Sequence, residues 1–314
     1  MGIVSALFSI VVFPGFLFLG LMGLLLEYLD RILYARFQNR QGPPFYQPLA
    51  DFIKLTAKEE IIPEEADKRI FKFMPILALT AATTSFFYIP LWSSSALFSF
   101  YGDVIVVLYL LTIPTVTFFL GGWSSTSMYA AIGAVRTLTQ LFSYEVLLFL
   151  GILSPLILAN TWSLSDSIIF YNSHPFMMLI NIAAFFVSMI ALLGKLEKVP
   201  FDIAEAETEI VGGAFTEYTG RLLALFRMAI DIEMVVGASL IAAVFLPFGM
   251  MLNPIIAFIL YIIKVCCIVF LLSLLRTIFA RLRIDQMVNV CWKYFAPIAF
   301  VQILIVLVVK GVFL

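Results

Sequence analysis

Five carboxylates, Asp202, Glu205, Glu207, Glu209 and Glu217, fall within the eighteen residues from Pro200 to Glu217, in a chain where only 12% of residues are charged. Acids crowded like this repel one another's ionised forms, so some hold protons near neutral pH and release them when a nearby charge changes. That is the chemistry of a proton relay. Apolar runs flank the segment on both sides, and Gly212-Gly213 lets the backbone turn sharply within it. Helical spacing puts Glu205 and Glu209 on one face and Glu207 across from them, presenting acids to two sides of a cavity. A solvated acidic loop is the competing reading.

Other ionisable groups interrupt the apolar runs themselves. Glu145 is followed by Leu147, Leu148, Phe149 and Leu150. An ionised acid at the centre of a membrane helix costs at least ~2.5 to 3.5 kcal/mol, so Glu145 should be neutral, paired or beside water. Arg136 lies nine positions earlier, about 180° around an ideal helix, so its partner must come from another helix or a bend. Arg227 and Asp231 are four apart and can pair on one face. Glu233 then points elsewhere. Lys264 is either a counter-ion for a relay acid or a receptor for a neighbouring subunit's carboxylate.

These groups need elements to hold them, and composition says which. The 314 residues are 63% hydrophobic and 15% aromatic, with mean hydropathy +1.08, which describes a chain dissolved in lipid and excludes a soluble enzyme. A net charge of -1 leaves no basic surface for nucleic acid. Cys266, Cys267 and Cys291 form no Cys-x-x-Cys pair, and His174 is the single histidine and reads as an interfacial residue. No metal or electron-carrying cofactor is therefore expected in this chain.

Apolar windows of about 20 residues predict eight spans, near 3–26, 73–92, 104–121, 131–158, 175–194, 222–246, 254–276 and 294–313. Spans of this length satisfy their backbone as helices, giving an all-α polytopic membrane fold in one transmembrane domain over 1–314. Residues 1 to 26 carry no charge and read as a retained span, not a cleaved leader. All of the 19 Lys and Arg residues except Lys264 and Lys310 fall at alternate connections or the span ends beside them. That asymmetry predicts a prokaryotic cytoplasmic membrane location with both termini outside and the charged loops in the cytoplasm.

Two cytoplasmic loops are more than connectors. In 27–72, Phe45, Leu49, Phe52 and Ile53 recur at helical spacing opposite Gln47, Asp51, Lys54 and Lys58, predicting an amphipathic interfacial helix after Gly42-Pro43-Pro44. It is either a surface anchor or the roof of a buried cavity. Segments 27–72 and 195–221, the second being the acidic one, carry much charge and few evident core residues, and should be poorly ordered without partners.

Arg40-Gln41-Gly42-Pro43-Pro44, Gln47-Pro48-Leu49-Ala50-Asp51 with Lys54-Leu55 and Lys58-Glu59, Ser143-Tyr144-Glu145, and Pro200-Phe201-Asp202 through Glu217-Tyr218 resemble the family of the H subunit of bacterial complex I, a membrane component. Asp285-Gln286 and Trp292-Lys293 keep the order to the last span. The form Gly-Pro-Pro-x-x-Gln-Pro, with Glu207-Thr208-Glu209-Ile210 and Gly220-Arg221-Leu222-Leu223-Ala224, is more similar to the subunits of energy-converting hydrogenases and sulfane reductases.

The resemblance implies a membrane component that anchors a ferredoxin-fed, hydrogenase-like peripheral arm to antiporter-like ion-pumping membrane subunits. Iron-sulfur clusters, and nickel-iron in the hydrogenase case, would sit on those partners. Its lateral proton path would use Glu145, Glu205, Glu207, Glu209 and Glu217, with Asp231 and Glu233 beside Ile230, which stands where the family places a glutamate. Arg136, Arg227 and Lys264 would be charge partners, and Arg40, Asp51, Lys54, Lys58, Asp202 and Arg221 would face the arm. A quinone-reducing subunit lining a quinone chamber, a stand-alone proton-coupled transporter and a passive anchor are the alternatives.

Overall fold

In hydrocarbon, backbone N–H and C=O groups find partners only within their own segment, and the apolar runs accordingly fold as helices. The computed structural model describes residues 3–93, 95–250 and 252–313, without the side chains of Ile3, Ala6, Glu207 and Phe313. In chain order the helices are α1 (Ile3–Val11), α2 (Phe16–Phe37), α3 (Gln47–Ala57), α4 (Lys68–Phe86), α5 (Asp103–Ser124), α6 (Met128–Ala159), α7 (Leu164–Ser173), α8 (Ile182–Lys195), α9 (Glu207–Ile210), α10 (Gly220–Phe245), α11 (Pro254–Ile278), α12 (Ile284–Val290) and α13 (Ala296–Phe313). No strand occurs among the described residues.

Among the described residues, seven helical stretches are long and apolar enough to cross a membrane: Leu7–Phe37, Asp103–Ser124, Met128–Ala159, Pro175–Lys195, Gly220–Phe245, Pro254–Ile278 and Ile284–Val312. The chain is a multi-pass, all-α membrane protein. The eighth expected span corresponds to α4, whose opening Lys68, Arg69 and Lys72 leave it more polar than the rest. Its first turn is capped by Asp67, which accepts from the Arg69 and Ile70 amides at 3.0 and 3.4 Å.

Helix α10 is the axis of the bundle. Every residue from Ile232 to Phe245 is buried, as expected of a helix that is apolar all round. Helices α2, α4 and α11 pack around it, and α6 with α5, α8 and α13 builds the adjoining layer. Small residues allow the closest approaches. A Cβ on Gly23 would stand 3.2 Å from the Asp231 Cβ, and one on Gly194 would stand 2.9 Å from the Tyr144 Cβ.

Segment 195–221 is not the loose, charge-exposing loop its composition predicted. Phe201, Ile203, Ala204, Ala206, Ile210, Ala214, Phe215 and Tyr218 are all buried in it. Tyr218 stacks on Phe71 with ring centroids 3.9 Å apart. From α6, Gln140 Nε2 donates to the carbonyls of Gly194 at 2.7 Å and Phe201 at 2.8 Å, tying both ends of the turn that holds Glu197.

Candidate functional site

At the charged end of the bundle, α2, α3, the acidic segment, α10 and the α11–α12 connection line an open-mouthed cavity of about 600 Å³. That is room for many waters. Its wall carries the carboxyls of Glu27, Asp51, Glu197, Asp202, Glu205 and Asp231 and the cations Arg31, Lys198, Arg227, Arg276 and Arg281.

Most of these charges are paired. Arg31 reaches Glu27 at 2.7 Å and Asp51 at 3.0 Å, Arg227 reaches Glu205 at 2.9 Å, and Arg281 reaches Asp202 at 3.0 Å. Behind the wall, buried Asp30 binds Lys198 at 2.6 Å, Arg276 at 2.8 Å and the Ser273 hydroxyl at 2.6 Å. Lys198 also lies 3.2 Å from Glu27. Among the described residues, Glu197 and Asp231 are the cavity acids that make no ion pair.

Glu197 follows α8 in the left-handed region, φ 51°, at a helix-end position where glycine is the unstrained choice. Its amide still closes the helix onto Gly194 O at 3.3 Å. Only 8% of the residue is exposed, and Oε1 has no hydrogen-bond partner. Burial pushes its carboxyl up to about 8, with Glu205 and Glu233 adding to the rise and Arg227 and Lys195 opposing it.

Past Glu197, inside the apolar core, lies a second cluster. Lys195 Nζ lies 3.1 Å from Glu233 Oε1, with both side chains fully buried. The contact falls outside hydrogen-bond angles and is an ion pair. Lys195 also donates to the Leu111 carbonyl of α5 and lies 5.8 Å from the Tyr144 ring centroid. Both carboxyl oxygens of Glu145 are buried without a hydrogen bond, and the charged groups facing them are Lys195 and Glu233. Glu145 thus makes no ion pair among the described residues, and the cation that faces it comes from another helix, Lys195 at the end of α8.

Several sequence expectations change. Arg227 pairs with Glu205, not with Asp231, because the folded acidic segment brings a carboxylate closer than the neighbouring helical turn does. Glu205 and Glu209 do not share a helix face, since α9 begins only at Glu207. Glu205 faces the cavity, whereas Glu209 points outward to Arg136 at 2.6 Å in a separate groove with Arg281, Arg283 and Asp285. The side chain of Glu207 lies outside the described residues. Glu217 is half-buried and does not line the cavity. Lys264 meets no carboxylate of this chain among the described residues, so it is not a counter-ion to a relay acid within the bundle. Its ammonium donates to the Phe248 carbonyl and lies 4.4 Å from the Phe248 ring centroid.

Of the residues expected to face an arm, Arg40, Lys54, Lys58 and Arg221 are exposed. Asp51 and Asp202 turn into the cavity wall. Helix α3 leans on α10 and α2, with Phe52 and Leu55 lining the cavity while Leu49 and Ile53 face outward. Lys195 and Glu197 were missed by sequence reasoning, where both stand just after an apolar run and look like ordinary loop charges. No group of three or more His, Cys, Asp or Glu side chains able to hold a metal occurs among the described residues.

Known proteins share this architecture. The NADH dehydrogenase family model matches residues 9–307. The H subunit of the NADH-quinone oxidoreductase of Dehalococcoides mccartyi is 34% identical over 310 residues, covering 96% of this chain and 86% of the relative. Its counterpart in Carboxydothermus hydrogenoformans is 32% identical over 299 residues, covering 92% and 85%. "NADH-quinone oxidoreductase subunit 8" of Thermus thermophilus is 33% identical over 290 residues, covering 88% and 80%. Among solved structures, a chain of "the membrane-bound sulfane sulfur reductase (MBS), an archaeal respiratory membrane complex" superposes with TM-score 0.83 at 26% identity, covering 92% of this chain and 96% of that one.

Proposed function

Since the chain belongs to the NADH dehydrogenase family, whose relatives here are H-type subunits of respiratory membrane complexes, we propose that it couples a partner's electron transfer to ion movement. Electron arrival at an iron-sulfur cluster of a docked peripheral arm alters the charge beside the cavity, and the uncompensated acids Glu197 and Asp231 respond by binding or releasing protons. The change passes to Glu233 and Glu145 inside the bundle, and from there to ion-pumping membrane subunits. The arm docks on the exposed Arg40, Lys54, Lys58 and Arg221 on the cytoplasmic side, with both termini outside. The observation that supports this reading is the series of carboxyls, each facing the next, from half-buried Glu205 and buried Glu197 at the cavity wall to Glu233 and Glu145 in the apolar core.

A ferredoxin-fed arm of the sulfane-reductase or hydrogenase type is favoured by the form Gly-Pro-Pro-x-x-Gln-Pro after Gln41 and by the superposition on the sulfane reductase chain at TM-score 0.83. A quinone-reducing arm is the second reading, supported by the higher identities to those relatives and by a cavity large enough for a small-molecule headgroup.

The test is Glu145→Gln in the assembled complex, with electron transfer at the partner's cluster and the ion gradient in vesicles measured side by side. Electron transfer should persist while the gradient collapses. An unchanged gradient would reduce the chain to an anchor.

A further inference from the structure

Lys195 is the cation that the inner acids face from within the bundle, and the charge count around it is unbalanced. From α6 it meets Tyr144 and Glu145, from α10 Glu233, from its own chain end Glu197, and from α5 only the uncharged Leu111 carbonyl. Arg227 also faces Glu197, but it is held by Glu205 at 2.9 Å, and that pair is neutral by itself. One ammonium is thus left opposite three carboxyls, at positions where Glu145, Glu197 and Glu233 each keep oxygens buried without a hydrogen bond. An uncompensated second anion in such surroundings is strongly disfavoured, and the group takes a proton instead.

We propose that Lys195 fixes the proton stock of this cluster, permitting one of Glu145, Glu197 and Glu233 to be ionised and holding the other two protonated. The inference rests on the relay reading for its use, although the stock itself does not depend on it. Two bound protons and one vacancy make a conducting set: a proton leaves one carboxylic oxygen, passes through water, and forms an O–H bond on the ionised carboxylate. The negative charge moves the opposite way. Lys195 remains an ammonium throughout, and the total charge never changes. A cluster with no vacancy, or with no proton, could not pass the signal on.

Infrared difference spectroscopy of the assembled complex in bilayers, with hydrogen–deuterium exchange marking protonated carboxyl stretches, reads the stock directly. The expected counts for the cluster are two protonated carboxyls in the native complex, three in Lys195→Met, one in Glu233→Gln and two in the double variant. Lys195→Arg should keep two. If Lys195→Met does not assemble, Glu233→Gln decides alone, because it keeps the cation and must lose one protonated carboxyl. An unchanged protonated count in either single variant overturns the proposal. A count that follows the expectation while Glu145→Gln leaves the gradient intact would refute the relay and leave the stock standing.

Discussion

Replacing Glu197 with glutamine should remove a pH dependence of stability that the backbone and burial build into this position. The carboxyl is raised from its ordinary 4.5 to about 8, so ionising it in the folded chain costs on the order of 5 kcal/mol more than in the unfolded one. That figure is an upper limit, because relaxation of the surroundings and water entry lower the cost of a buried charge. The folded state therefore keeps a proton that the unfolded state gives up between about pH 4.5 and 8. Stability falls with rising pH across that window and levels off above it.

Glutamine cannot ionise, so Glu197→Gln and the native chain should melt alike near pH 4. The variant should then become progressively more stable than the native chain, by several degrees, up to about pH 8, with no further divergence beyond. Thermal melting of the two purified chains in detergent across pH 4 to 9 measures the gap. Parallel melting curves at every pH would refute the account of Glu197 as a buried, uncompensated acid.

Two other substitutions test the framework. Gly194→Ala places a methyl 2.9 Å from the Tyr144 Cβ, which should push α8 off α6 and cost roughly 1 to 3 kcal/mol, read as a lowered melting temperature, because a contact between two Cβ atoms cannot be relieved by a rotamer change. Asp30→Asn removes the carboxylate between Lys198 and Arg276, leaving two cations facing each other at the wall. A loss of roughly 3 to 5 kcal/mol is expected, together with poorer complex yield, and native-like melting would show the node to be dispensable.

The membrane spans were legible because the constraint that makes them is local: about 20 apolar residues in a row leave the backbone no alternative to a helix. Some of the cavity acids, Asp202, Glu205 and Asp231, were legible for a related reason, since carboxylates are conspicuous in such a chain, whereas Glu27 and Glu197 were not singled out. The pairings were not legible. Arg227 and Asp231 have the spacing of a helical pair, yet the fold of the acidic segment supplies Glu205, and periodicity cannot register a partner 22 residues away. Glu205 and Glu209 lost their common face because Ile203, Ala204 and Ala206 are drawn into the core first, which delays α9 until Glu207. Lys195 and Glu197 were invisible for a plainer reason. Charges just past an apolar run normally mark the water's edge, and here Gln140 pulls that turn back inside the bundle.

With neighbours on every side from Ile232 to Phe245, α10 is jammed. A pump that worked like a piston would need a rod free to travel, and the inner half of this one is clamped. On the proposed reading, the bundle would therefore pass protons between fixed posts, with side chains as the moving parts.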